Sequence, residues 1–337
     1  MNCKALLFLV IACAITGAAL AVPPAGDSGT AAETDPVPVP YTITLFIPSA
    51  TMIHSDQILD MVSTPERGVL IGTSFGLSMY NGTWSTRHIN RDNLTEGLMD
   101  DYITAVEYDP AGNPWIGYSG GIQIYDGRYY TTIRDQQLLK DKRIQDIQRW
   151  HDAMWIATGN AGIHRFRNGV WTWYQPMSKG GPGFYDAREI ALDPLHDILV
   201  LVTADNGHWV IRASGDGTIS FEQIAIKRGS YDLLDHVRRD PAGGVYVFND
   251  TTVMQYTPGS GYVPVLTTRD ITRKQMTIND LAAAPDGRLY LATDDGIYLW
   301  NNGVERQLSR FEGIGTSEIV RTVYIDAQQR VWFASKG

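Results

Sequence analysis

Residues 109–125 read DPAGNPWIGYSGGIQIY, from Asp109 to Tyr125. Pro110-Ala111-Gly112-Asn113 is turn chemistry, with proline fixing φ and glycine or asparagine tolerating positive φ. Trp115-Ile116-Gly117 opens a strand. Ser119-Gly120-Gly121 makes a second turn, and Ile122-Gln123-Ile124-Tyr125 alternates as a half-buried strand. Asp126-Gly127 closes the next hairpin. Strands this short cannot bury both faces alone and need copies of themselves on either side.

Copies are present. Aligned on Trp115, the register runs Leu70, Trp115, Trp155, Val200, Tyr246, Tyr290, Trp332, with spacings of 45, 40, 45, 46, 44 and 42 residues. A period in the low forties with four short strands per unit is the signature of a β-propeller. The expected fold is therefore all-β: a seven-bladed β-propeller of four-stranded blades. Its last blade is expected to be incomplete and closed with an N-terminal strand, because the chain stops at Lys336-Gly337 where a third strand should begin. Tyr41–Ile47 is the strand assigned to closure. That leaves either a three-stranded last blade or a reading frame that once continued past Gly337. Trp115, Trp155 and Trp332 are expected between neighbouring sheets as packing residues.

The N-terminus reads as an address. Lys4, an apolar run from Ala5 to Leu20 and the small residues of Ala19-Leu20-Ala21 form a signal peptide over residues 1–21. A retained anchor and lipoprotein processing at Cys13 are the alternatives. Residues 22–40 form a Pro/Ala-rich linker, and residues 41–337 the propeller. Both cysteines, Cys3 and Cys13, lie in the leader. This excludes disulfide and thiolate chemistry from the mature chain. A formal charge of −9 argues against nucleic acid as a partner. No membrane span is expected in the mature chain, and its expected location is extracytoplasmic, secreted or at the cell surface.

Asn93-Leu94-Thr95-Glu96-Gly97-Leu98, then Asp101–Val106, then Asp109–Tyr125 resemble the two-component regulator propeller repeat. Leu70–Tyr80, Trp155–Phe166 and Leu289–Trp300 match its second half. The resemblance implies an extracytoplasmic sensor-type propeller that binds a ligand such as a glycan and works with a membrane sensor kinase. Signal transduction by these residues alone is not expected, since none of them reads as a transmembrane, kinase or receiver segment.

Function is expected in the loops that join an outer strand to the next inner strand. Five of the six lysines beyond the leader fall there: Lys140, Lys142, Lys179, Lys227 and Lys274. Arg91, Arg143, Arg228, Arg273 and Arg310 join them, as do the aromatics Tyr185 and Tyr231. A cationic, aromatic face suits an anionic or glycan ligand. Phe75, Tyr118, Phe184 and Phe311 are further loop aromatics. Seven histidines show no metal-ligand spacing, and no nucleophile elbow or phosphate loop occurs, so neither metal nor cofactor is expected. Two other readings stay open. One is a lyase or hydrolase acting on a polysaccharide or cyclic peptide, with His208, His236 and Tyr185 or Tyr231 as its residues. The other is a protein-interaction scaffold.

Overall fold

The computed structural model describes residues 9–14, 43–46, 53–225, 234–315 and 317–335. Lys227, Arg228 and Tyr231, with the linker and most of the leader, lie outside them. The described chain is an all-β propeller of four-stranded blades. In the first unit Ile58–Thr64, Gly68–Thr73, Gly76–Tyr80 and Trp84–Arg87 follow one another across an antiparallel sheet. Residues 105–133, 144–174, 187–223, 236–267 and 278–308 repeat that order, so six blades are each continuous in the sequence. Among the described residues helix is confined to Thr268–Ile271 and the 3-10 turn Arg310–Glu312, and no helix is long and apolar enough to cross a membrane.

The recurring glycine at the start of the third strand has two reasons to be glycine. Gly76, Gly121 and Gly296 take φ of 101°, 136° and 97°, which other residues rarely adopt. A Cβ there would also stand 2.4–2.6 Å from a fourth-strand carbonyl oxygen, that of Arg87, Ile133 or Leu308.

The core lies between blades, as the aromatic register predicts. Trp115, 1% exposed, meets Phe166 and Trp171 of the next blade at 5.2 and 6.0 Å. Trp332 packs against Phe46 of its own sheet and Tyr80 of the first blade. The inner strands touch in succession around the axis, and Val320–Ile325 returns to Ile58–Thr64.

The last unit departs from expectation. Its two strands, Val320–Ile325 and Arg330–Ser335, belong to a composite four-stranded sheet completed by Leu9–Ala14 and then Thr44–Phe46. Seven repeats in the sequence thus correspond to six continuous blades and one composite sheet. Two N-terminal strands contribute where one was expected. The expected strand at Tyr41–Ile47 is observed as Thr44–Phe46, in the outermost place. The position expected to be empty is taken by a segment of the leader, paired from Leu9↔Ser335 to Ala14↔Arg330. An edge of unpaired amides on Arg330–Ser335 is a template for any apolar strand, and the alternation-free leader can supply one.

Candidate functional site: the channel and the loop face

Inner strands begin with a bulge in most units. The ladder shifts between Ile58 and Asp60, Ile144 and Asp146, Ala187 and Glu189, and Ile278 and Asp280. Each shift turns the residue after it into a central channel of about 670 Å³. Four of the residues so placed are acids, and all four reach the neighbouring inner strand. Asp60 accepts from the Val106 amide at 2.7 Å, Asp146 from Ile190 at 2.7 Å, Glu189 from Val237 at 2.9 Å and Asp280 from Val323 at 3.1 Å. Glu107 accepts from the Arg149 amide at 3.3 Å. Arg238 bridges Glu189 and Asp280 at 2.7 and 2.9 Å. Ser63 and Tyr324, hydroxyls 2.9 Å apart, join the composite sheet to the first blade.

These acids divide by electrostatics. Burial, reinforced by the neighbouring Asp146 charge, raises Asp60 well above the usual carboxylate range. Burial pushes Asp146 and Glu107 up to about 7. Burial also acts on Glu189, but the Arg238 guanidinium and His236 outweigh it and hold that carboxyl at about 2. Burial would lower His236, yet its 2.8 Å contact with Glu189 Oε1 raises it. The channel therefore holds an ionised Glu189–Arg238 pair that continues to Asp280, and several acids that keep a proton easily. Each is tied to a backbone amide, which makes them inter-blade fastenings. Among the described residues no group of three or more His, Cys, Asp or Glu is placed to hold a metal ion.

Two of the residues suggested for catalysis have structural partners. His208, 2% exposed, lies between the Tyr262 hydroxyl and the Leu234 carbonyl, bracing adjacent blades. His236 belongs to the Glu189–Arg238 link. Tyr185 is exposed on a loop, where its amide donates to Asp205. The structure does not join these three into one cluster.

The face where inner strands begin carries two kinds of loop, and hydrogen bonds knit them together. Gly76 donates its amide to the Asp101 carbonyl, Gly159 to Arg143, Ala204 to Asp186 and Asp294 to Thr277. The cations predicted from sequence that fall among the described residues sit on the first kind, between blades. Arg143 is paired with Asp141 at 3.1 Å, Lys274 with Asp295 at 3.8 Å and Arg310 with Glu318 at 3.4 Å. Arg91, Lys140, Lys142, Lys179 and Arg273 have no acidic partner among the described residues. Lys140 instead lies 5.4 Å over the Trp173 ring, and its amide donates to His164, which burial pushes down to about 4.

The loop aromatics separate cleanly. Tyr118 and Phe184 are buried and serve packing. Phe75, Tyr185 and Phe311 are 53%, 45% and 83% exposed. Phe75 lies 5.2 Å from His88, whose imidazole meets His54 at 2.6 Å and Asp101 at 3.4 Å. Sequence reading missed the channel acids and this His pair. The acids had a signal, because Asp60, Asp146, Glu189 and Asp280 occupy one position of the aligned repeat. His54 and His88 are separated by a whole blade and had none.

No family model matches the chain, and no curated protein does. Solved structures do. The extracellular domain of BT4673 from B. thetaiotaomicron, assigned to a one-component or hybrid two-component system, is similar with a TM-score of 0.65 at 16% identity; the match covers 85% of this chain and 38% of that one. Virginiamycin B lyase from Staphylococcus aureus gives 0.59 at 12% identity, over 85% and 97% of the two chains. YCF48, solved with a D1 peptide, gives 0.61 at 15%, over 85% and 91%. The likeness to a sensor's extracellular domain agrees with the repeat resemblance read from the sequence. At these identities what the chains share is the propeller fold.

Proposed function

We propose that this chain is an extracytoplasmic, non-enzymatic recognition propeller of the sensor type, binding an anionic glycan on its loop face. One observation carries the reading. Of the five exposed tyrosines and phenylalanines among the described residues, Phe75, Tyr102, Tyr185 and Phe311 lie on that face and Tyr129 alone does not. The cations without acidic partners are on the same face, Arg91 in the loop of Tyr102 and Lys179 in that of Tyr185. Aromatic faces beside cations suit sugars that carry negative charge. The engagement of the channel acids with backbone amides supports a binding role over a catalytic one. With the leader in place the composite sheet completes the ring as a seventh blade in this reading, and cleavage near Val22 would take Leu9–Ala14 out of that sheet; a membrane sensor kinase is the partner that the likeness to BT4673 suggests.

Titration with dextran sulfate, against neutral dextran, tests the reading. Combined Lys140→Glu, Arg273→Glu and Lys274→Glu changes are expected to weaken binding about tenfold or more, since each exposed contact is worth a fraction of a kcal/mol to about 1 kcal/mol. Unaltered affinity would contradict it. Export by a cleaved leader has its own test. An exported chain starting near Val22 supports it, and one retaining residues 9–14 contradicts it.

A further inference from the structure

Of the three second strands that carry a buried tryptophan in register, one lacks its aspartate, and a pocket lies beside it. In the second blade and the composite sheet, an aspartate stands two residues beyond the partner of the buried tryptophan. Asp109 and Asp326 there accept from the indole N–H of Trp115 and Trp332 at 3.3 and 2.7 Å. The third blade has Trp150 at that place. Trp155, 2% exposed, therefore has an indole N–H without an acceptor among the described residues. Arg165 pairs with Trp155 across the sheet, where four other blades have Met79, Ile124, Val210 and Leu299 and the fifth blade has the uncharged Gln255. Its guanidinium lies 5.7 Å from the Trp155 and Tyr174 rings. No carboxylate among the described residues pairs with it, and its buried Nε has no acceptor.

Trp150 and His151 reach the fourth blade instead. The Trp150 indole donates to Asp197 at 2.7 Å, and His151 Nε2 lies 2.8 Å from the same carboxylate. His151 and Asp197 both take left-handed backbone, with φ of 54° and 51°. Between the two blades lies a cavity of about 490 Å³, bounded by the 213–217 turn. It opens among the hairpins opposite the loop face.

We propose that this cavity binds a uronic-acid residue of a glycan, its carboxylate on Arg165. An unpaired guanidinium beside aromatic rings calls for a planar anion. The rest of the lining argues for a single charge. Hydrogen bonds from Arg167 and Thr218 hold Asp152 and Asp216 below the usual carboxylate range, and at Asp197 burial is outweighed by the bonds from Trp150 and His151, which lower it too. Asp152 is neutralised by Arg167 at 2.9 Å, and the repulsion left from Asp197 and Asp216 grows with ligand charge, so it opposes a phosphate or a sulfate cluster more than one carboxylate, while these oxygens accept hydrogen bonds from sugar hydroxyls. The volume lies in the range of small-ligand sites. The proposal does not depend on the loop-face reading, since it concerns other residues at the opposite end of the blades.

Calorimetric titration with galacturonate, against galactose and an acetylated dipeptide, tests it. Galacturonate is expected to bind about tenfold or more tightly than galactose, and Arg165→Gln to remove that advantage while Arg165→Lys keeps part of it. Ser214→Trp, on an exposed turn, is expected to fill the cavity and abolish binding with thermal unfolding unchanged. It decides the matter if Arg165→Gln does not fold. Absence of galacturonate binding at millimolar concentration, equal binding of galactose, or no effect of either substitution would overturn the proposal. Equal affinity for the dipeptide would overturn it too, and reassign the cavity to peptide C-termini.

Discussion

Glu189 and Arg238 meet at 2.7 Å from the inner strands of adjacent blades, and Arg238 continues to Asp280 of the blade beyond. One guanidinium thus fastens three blades. Arg238→Met leaves two channel acids without their cation and is expected to cost about 2–3 kcal/mol in urea unfolding. Adding Glu189→Gln should recover part of the loss, because the second change removes a stranded charge. The pH dependence has a definite sign. The carboxyl of Glu189 is held at about 2, so its contribution is full above the ordinary glutamate range near 4.5 and is lost as pH falls toward 2. His236 is raised, so its contribution is full below its ordinary range and is lost as pH rises through its folded value.

Asp146 behaves in the opposite sense to Glu189. Burial pushes it up to about 7, so the folded protein holds a proton that the unfolded chain releases near 4. Wild-type stability should therefore fall between about pH 4 and pH 7 and level off above. Asp146→Asn carries no charge and keeps an acceptor for the Ile190 amide, but gives up the one for Ile147. It should flatten that part of the profile and be more stable than wild type at pH 8 by on the order of 1 kcal/mol, the lost bond offsetting part of the gain. Chemical denaturation across pH measures both.

Gly117 faces the next inner strand so closely that a Cβ would stand 2.6 Å from Ile144 Cγ2. Its φ is unexceptional, so packing alone sets the requirement. Gly117→Ala is expected to cost about 1–3 kcal/mol, and Gly117→Ala with Ile144→Ala to cost less than the two single changes summed. The third blade already has that pairing, with Ala157 on its second strand and Ala187 opening the next blade's inner strand. Thermal unfolding of the three variants tests the compensation.

Asp326 accepts from the amides of Gln328 and Arg330, the Arg330 guanidinium and the Trp332 indole. Asp326→Ala strands several of these donors and is expected to destabilise by about 2–4 kcal/mol. Asp109→Ala, whose indole bond is longer at 3.3 Å, should cost less. A smaller effect at Asp326 than at Asp109 would contradict the ordering.

The repeat was legible because its strongest signals are local. Turn glycines, strand alternation and the buried tryptophans lie within a few residues of one another, and they placed six continuous blades. The composite sheet was not legible, because Leu9–Ala14 has the apolar run of a leader and no alternation to mark it as a strand. The loop cations were found from their positions, whereas their pairing with Asp141, Asp295 and Glu318 appears only once the loops are folded. Arg165 shows how a readable signal was passed over. It is the one charge in a column that holds Met79, Ile124, Val210 and Leu299 in four other blades and Gln255 in the fifth. The residues that break the pattern mark the pocket.

In the proposed function the channel acids fasten blades and recognition lies on the loop face. Hydrogen–deuterium exchange with and without dextran sulfate tests it most directly. The account predicts slowed exchange in residues 88–101, 134–143, 175–186, 272–277 and 309–315, with Trp150–Asp152 and Ala213–Gly217 unchanged. Protection confined to those hairpins or to the inner strands, with the loops unaffected, would contradict it.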